Sequence, residues 1–286
     1  MPIQHVSDTA RWVAIYRAME TERKDAIFRD PYARKLAGES GEEIVNNMKR
    51  GKQAAWAMIV RTAVMDEIIR QCIAEGADTI VNLAAGLDAR PWRMDLPSSL
   101  HWIDVDLPGI LNHKTEMLKD ERTRCRYEAV TMDLRDRPAR KALFTRIGAG
   151  AKKVIVIAEG LLIYLEPEQV ADLADDLSAV PSFKWWLIDI ASPELVEWMK
   201  GTWGDAAQKA NAPFRFAPKE NTAFFLPHGW KENQYRNQWD EGKRLNRMMQ
   251  NVWLWTIVGG IMGFFASKEK KERFKRFSGI ALLERA

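Results

Sequence analysis

Cysteine is nearly absent from this chain: Cys72 and Cys125 are its only two, far apart in 286 residues. Two thiols so separated match no metal-ligand spacing and no disulfide framework, and they fit a reducing compartment. Histidine is scarce as well, at His5, His101, His113 and His228. Neither sign of charge dominates, with 43 Lys and Arg against 39 Asp and Glu, net +4. Much of the excess lies in Lys268, Lys270, Lys271, Arg273, Lys275 and Arg276, with Glu269 and Glu272 interleaved. Such alternation reads as a solvated helix face, and no nucleic-acid motif accompanies it. The longest apolar run, Val252 to Ala266, is about 15 residues, short of the ~20 that span a bilayer. The first eight residues lack a basic region followed by an apolar core, so no signal peptide is expected. There is no internal repeat. The expectation is a cytoplasmic protein without a transmembrane segment or nucleic-acid partner, a monomer or homodimer.

What is present is ordinary in bulk, 47% hydrophobic and 29% charged, with twelve tryptophans. The length suits one large α/β domain, or a core plus a cap. Residues 1–75 read as helices. One is capped near Ser7, Asp8 or Thr9; a second covers about 25–37 and is closed by Gly38; a third covers about 52–74. From Thr79 the pattern alternates strand and helix. Strands are expected at 79–83, 102–105, 126–131, 153–158 and 185–190, with helices near 108–120, 136–147 and 167–180. That alternation predicts a parallel sheet covered on both faces. It breaks after Ser192-Pro193. Residues 193–265 are rich in Trp and Phe and hold a turn at Pro227–Trp230; a polar strand follows near 231–236 and a final one at 279–284. The division expected is an N-terminal helical cap (1–75), an α/β core (76–192), a helical insert (193–265) and a C-terminal helix and strand (266–286). Both additions are expected to cover the ligand edge.

The chain is organised around Thr79–Arg90, a buried strand that empties into a small-residue loop, Ala84 to Asp88. Twenty residues past Gly86, a second strand ends in Asp106. A small-residue loop with a strand-end acid about twenty residues on is the layout of an adenosine-ribose site. Aligned on Gly86 the loop reads A-x-G-x-x-A, a degraded dinucleotide pattern. Asp88 stands where a pyrophosphate would sit and would oppose its charge. Two further strands lead to Asp133 and Glu159. Four acids at strand ends suit a ligand with ribose hydroxyls, an adenine amino group and positive charge. S-adenosylmethionine has these and carries no phosphate; NAD fits poorly. The bland alternative is that each acid caps the next helix.

Several segments, in order, resemble the leucine carboxyl methyltransferase-like family of class I S-adenosylmethionine-dependent methyltransferases, in its bacterial O-methyltransferase branch associated with secondary metabolism. They are Asp8-Thr-Ala-Arg-Trp-Val-Ala14, Phe28-Arg-Asp-Pro-Tyr32, Arg61-Thr62, Asn82–Arg90, Asp104-Val-Asp106, Asp133-Leu-Arg135 and Ala158–Leu165. The resemblance implies a Rossmann-like, seven-stranded, mostly parallel sheet with the last strand antiparallel and a helical cap. It also implies roles at matching positions. Arg61 would grip the methionine carboxylate, Gly86 would let the backbone pass the methionine part, and Asp106 would accept both ribose hydroxyls. Asp133 and the Leu134 backbone would hold the adenine, and Glu159 would lie near the ammonium and sulfonium. Ala84 departs from the glycine usual in the family and narrows the loop.

Methyl transfer needs donor and acceptor held at near-attack distance with water excluded. A carboxylate acceptor needs no base, whereas a phenol or alcohol usually needs one, most often His. His228, in the turn before Trp230, is the candidate base, or else a turn residue. Tyr164 lines the acceptor pocket or packs beneath it. Tyr16 and Arg17 are candidate contacts for an acidic acceptor. Trp203 and Phe225, with Trp198, Phe224, Trp253 and Trp255, suit a hydrophobic or aromatic one. The leading reading is an O-methyltransferase acting on a carboxyl or hydroxyl of a small molecule. The alternatives are a protein C-terminal carboxyl methyltransferase, a non-catalytic S-adenosylmethionine-binding protein and an NAD-dependent oxidoreductase.

Overall fold

In the computed structural model of the chain, residues 8–47, 51–209, 212–249 and 274–286 are described. His5, Ser7, the run Val252 to Ala266 with Trp253 and Trp255, and the basic stretch Lys268 to Arg273 lie outside them. Three helices come first: α1 (Asp8–Thr21), α2 (Ala33–Asn47) and α3 (Gly51–Ala74). Alternation then begins: β1 (Thr79–Leu83), the short α4 (Arg90–Arg93), β2 (His101–Asp106), α5 (Pro108–Met117), β3 (Arg126–Thr131), α6 (Arg137–Gly150) and β4 (Val154–Ala158). A 3-10 turn (Leu162–Tyr164) leads to α7 (Pro167–Ser178) and β5 (Phe183–Ala191). The remainder is α8 (Pro193–Lys209), a 3-10 helix (Asn221–His228), β6 (Trp230–Asn237), α9 (Gln238–Arg244) and β7 (Ser278–Arg285). Every strand expected from the sequence is found, with ends shifted by two residues at most. The second helix differs. It starts at Ala33, past Pro31, and Gly38 (φ 63°) bends it instead of ending it.

The seven strands lie in the order β3-β2-β1-β4-β5-β7-β6. Strands β1 to β5 are mutually parallel, and β7 runs antiparallel to both β5 and β6. The order reverses between β1 and β4: one half winds outward through β2 and β3, the other through β5. Ligands of open α/β sheets bind outside the strand C-terminal ends at such a switch point. Two connections diverge there, the loop after β1 and the loop after β4.

Strand alternation sorts the side chains into two cores. Val81, Leu83, Ile103, Val105, Val156 and Trp186 face α6, α7 and the second 3-10 helix. Ile80, Trp102, Ile155, Ile157 and Leu187 face α3, where Val60, Val64 and Ile68 meet them at helical spacing. Each such buried aliphatic side chain contributes about 1.5–3 kcal/mol, so both faces are firmly covered. Helices α1, α2 and α5 pack around the end of α3 with the loop residues Leu87 and Ala89. No helix among the described residues is long and apolar enough to cross a membrane.

The β1 loop is tightly wound. Ala84 and Gly86 both adopt left-handed backbone angles, φ 52° and 50°. Gly86 is also closely approached, since a Cβ there would lie 3.0 Å from the Cβ of Ala10 on α1. Ala84 is therefore strained, by about 1–2 kcal/mol for a non-glycine residue in this region. Ala84→Gly removes that strain and adds back unfolded-chain entropy of about 0.4–1 kcal/mol. The expected result is a net gain of up to about 1 kcal/mol, read as a higher denaturant midpoint at unchanged m. A lower midpoint would contradict a left-handed residue 84.

Candidate functional site

The same period of two that builds the core carries polar groups onto the α3 face. Asn82 shares parity with Ile80, Asp104 and Asp106 with Trp102, Glu159 with Ile157, and Asp189 with Leu187. Their strands are neighbours in register, with Asn82 beside Asp104 and Ile157. Acids from three strands and an asparagine from a fourth thus converge where α3 and the β1 loop meet the sheet.

The centre of the convergence is Arg90, 1% exposed. Its Nε donates to Asp66 Oδ1 at 2.6 Å, and its Nη1 donates to Asp88 Oδ2 at 2.6 Å and Glu159 Oε2 at 2.8 Å. Arg93 takes Asp66 in a bidentate grip at 2.6 and 2.8 Å. Asp88 also accepts from Asn82 Nδ2 at 3.0 Å and from the amide of Arg90 at 2.9 Å. Below it, Asp104 accepts from Lys114 Nζ (2.7 Å), Tyr127 (2.9 Å), Trp102 Nε1 (2.9 Å) and Asn82 Nδ2 (3.2 Å). Burial alone would raise the Asp66, Asp88 and Glu159 carboxyls, but the guanidiniums around them hold all three below the usual carboxylate range.

Toward solvent the cluster opens. Glu159 Oε1 accepts from Arg61 Nε at 3.0 Å, and Asp189 Oδ2 accepts from Arg61 Nη1 at 3.1 Å. Neither bond uses Arg61 Nη2. On the β2 side, Asp106 Oδ2 accepts from the Gly86 amide at 2.6 Å and Oδ1 from the Leu107 amide at 2.7 Å. Each oxygen keeps a lone pair for a further donor. Burial raises the Asp106 carboxyl, against the pull of those two amides. Asp30, Asp66, Asp88, Asp104, Glu159 and Asp189 face Arg17, Arg61, Arg90, Arg93 and Lys114 through linked ion pairs and hydrogen bonds. The cluster is one anion in excess, and Asp106 at its rim adds another. A ligand with cationic groups would complete that charge. No group of three or more His, Cys, Asp or Glu suited to a metal ion occurs among the described residues.

The structure brings Arg61, Ala84, Gly86, Asp106 and Glu159 to this crevice, Arg61 buried on α3 and the other four partly accessible. Asp133 lies two residues beyond β3, beside the β2 end, where the Met132 amide donates to the Asp106 carbonyl at 2.8 Å. Its carboxylate is held by Arg135, which lowers it, and the Leu134 carbonyl accepts from Arg140 at 2.7 Å. Tyr164 lies beside Arg61 and Asp189, is hydrogen-bonded by Thr9, and burial pushes its phenol up to about 12. Its ring packs on Phe214 at 5.9 Å, in a cluster with Val196, Met199 and Trp203.

Four expected roles do not fit. His228 precedes β6, whose first residue pairs with Arg285 at the strand N-terminal edge; its Nδ1 meets Asp175 at 2.8 Å. It therefore sits across the sheet's full height from the crevice and is not the base. Phe225 is fully buried against Trp186 and Phe216 on the opposite face, as core. Tyr16 is 1% exposed and also core. Arg17 is committed to Asp30 at 2.8 Å and the Leu87 carbonyl at 2.6 Å, so it fastens the loop to α1. The argument that Asp88 repels phosphate also fails, since Arg90 neutralises it. What disfavours a pyrophosphate is that the helix after the loop is only four residues long and donates its arginines inward. Sequence reasoning missed Arg90, Asp66 and Asp189. The available signal was charge inside apolar context: Arg90-Pro-Trp-Arg93, and Asp189 in Trp185-Trp-Leu-Ile-Asp-Ile190.

The leucine carboxyl methyltransferase family model matches residues 10–178, more than half the chain. A Streptomyces avermitilis protein named as a candidate S-adenosyl-L-methionine-dependent methyltransferase is 34% identical over 182 residues, covering 60% of this chain and 64% of that one. A Mycobacteroides abscessus protein of the same name is 30% identical over 230 residues, 74% of each chain. The match to the first of these thus spans less than two thirds of that protein. Among solved structures, a DUF574 family protein from Streptomyces avermitilis aligns with TM-score 0.59 at 13% identity, covering 96% of this chain and 97% of that one. At that identity the likeness shows the fold alone, and it is the Rossmann-like sheet described above. By its sequence match and its sheet, the chain belongs to the leucine carboxyl methyltransferase family of S-adenosylmethionine-dependent methyltransferases.

Proposed function

We propose that the chain is an O-methyltransferase that moves the methyl group of S-adenosylmethionine to an oxygen of a small apolar or aromatic metabolite, with a carboxylate as the acceptor. The observation that carries the cofactor half is the crevice at the β1/β4 switch, anionic in sum and lined by Asp106, Gly86, Glu159 and Arg61. When bound, the cofactor supplies a methyl group activated by its sulfonium. Asp106 would take the ribose hydroxyls on its spare lone pairs, and Glu159 would face the ammonium. Arg61 Nη2 would take the carboxylate in a charge-assisted bond. Asp133 and the Leu134 backbone would meet the adenine; the exposed Asp133–Arg135 pair is worth about 0–1 kcal/mol and exchanges readily.

The acceptor half rests on what surrounds Tyr164. Its phenol stays protonated at neutral pH, so it does not act as a base. Phe214, Met199 and Trp203 form an apolar wall beside it. Among the described residues no histidine reaches the crevice: His101 opens β2 at the far edge, His113 Nε2 meets the Leu36 carbonyl at 3.0 Å, and His228 pairs with Asp175. A carboxylate acceptor is already ionised and needs only positioning. In this reading α1, α2 and α8 cap the crevice end of the sheet while β6 and β7 complete the sheet itself, and the protein works in the cytoplasm as a monomer or homodimer.

S-adenosylmethionine and S-adenosylhomocysteine are expected to raise the melting temperature, NAD is not, and Asp106→Ala is expected to abolish the shift. A ligand at about 100 times its dissociation constant stabilises by roughly 2.7 kcal/mol. Stabilisation by NAD alone would overturn the cofactor assignment. With a carboxylic-acid acceptor, kcat is expected to be flat from about pH 6 to 9, because no group in the crevice has to lose a proton. Tyr164 titrates only as pH rises through about 12. A rate that climbs through neutral pH would instead point to a hydroxyl acceptor and a base.

A further inference from the structure

The charge cluster has one member whose bonds all point toward positioning a neighbour. Asp189, near the end of β5, spends Oδ1 on the Gly160 amide at 2.6 Å and Oδ2 on Arg61 Nη1 at 3.1 Å. It thereby joins three elements that meet at the switch: α3 through Arg61, the β4 loop through Gly160, and β5 itself. Gly160 adopts a left-handed angle, φ 64°, and a Cβ on it would sit 3.4 Å from Arg61 Nη1. The guanidinium thus lies flat against a bare backbone, with Glu159 fixing Nε and Asp189 fixing Nη1. A planar group held at two nitrogens has no freedom to swing, so Nη2 keeps one direction.

We infer that Asp189 is a positioning residue for the amino-acid end of the cofactor: it holds the Arg61 guanidinium and the Glu159–Gly160 backbone in the orientation that receives the carboxylate and ammonium. This rests on the S-adenosylmethionine reading above. Asp189 itself needs no contact with the cofactor. Asparagine at this position offers a single acceptor oxygen for two donors, and its amide N–H groups confront one of them. It also removes one of the two anions on Arg61. The orientation is then lost while the adenosine end, at Asp106 and the β1 loop, stays intact.

The test is calorimetric binding of two probes, S-adenosylhomocysteine and 5′-methylthioadenosine, which shares the adenosine but lacks the amino-acid group. For Asp189→Asn, affinity for S-adenosylhomocysteine is expected to fall about tenfold or more, the scale of a lost charge-assisted hydrogen bond. Affinity for 5′-methylthioadenosine is expected to stay unchanged. Gly160→Ala presses on the same joint from the other side and carries the same expectation, so the test survives if Asp189→Asn does not fold. An equal loss for both probes would show a general structural role and overturn the proposal, as would no loss for either. If wild type binds neither probe, the cofactor reading fails first and the role of Asp189 falls with it.

Discussion

The structure depends on a buried arginine that is bonded to three carboxylates at once. Arg90 ties α3 through Asp66, the β1 loop through Asp88 and the end of β4 through Glu159. Burying so many charges is costly, and removing one partner of such a set typically costs about 3–5 kcal/mol, because an uncompensated charge is left behind. The cluster is therefore poor value as a source of stability. Its use lies in geometry: the two loops that diverge at the switch point are locked to one another and to α3. Arg93 and Lys114 extend the lock to α2's approach and to α5, through Asp30 and Asp104. Arg17 fastens α1 to the Leu87 carbonyl.

A rigid crevice with surplus negative charge follows from that lock. Inward-facing acids are neutralised by arginine and lysine; Asp106, Glu159 and Asp189 stand at the accessible rim. Preorganised charge of this kind requires little rearrangement when a cationic ligand arrives. The price is visible in the backbone, where Ala84, Gly86 and Gly160 all hold left-handed angles around the crevice. Two of these are glycines, which adopt such angles freely; Ala84 does so under strain. Such an angle on a non-glycine residue persists only where the surrounding structure fixes it, here through the loop's ties to α1 and β2.

Much of this was legible in the sequence, for identifiable reasons. Strands with continuous apolar character, such as Thr79–Leu83 and Val154–Ala158, announce themselves. The pairing of Gly86 with Asp106 is a local consequence of one strand-loop-strand unit, so a spacing of twenty residues reveals it. Arg61 and Glu159 lie 98 residues apart, and no periodicity joins them; family resemblance did. His228 misled because its place depends on β7 inserting antiparallel between β5 and β6, which sends the start of β6 to the far edge. Long-range strand order leaves no local mark. Phe225 misled because an aromatic in a turn looks the same whether it meets a ligand or, as here, the Trp186 ring at 5.2 Å. Arg90 and Asp189 were legible in principle as charges set among apolar residues, Asp189 on the strand parity of the α3 face, but nothing local to either says which partner it meets.

The central claim is that the locked charge cluster is the receptor for the amino-acid end of S-adenosylmethionine. A crystal structure of the complex with S-adenosylhomocysteine tests it most directly. The account predicts the ligand carboxylate within hydrogen-bond distance of Arg61 Nη2, the ribose hydroxyls on Asp106, and Arg90 still bonded to Asp66, Asp88 and Glu159. A ligand bound in another crevice, or one reversed so that its carboxylate lies by Asp106, would contradict it.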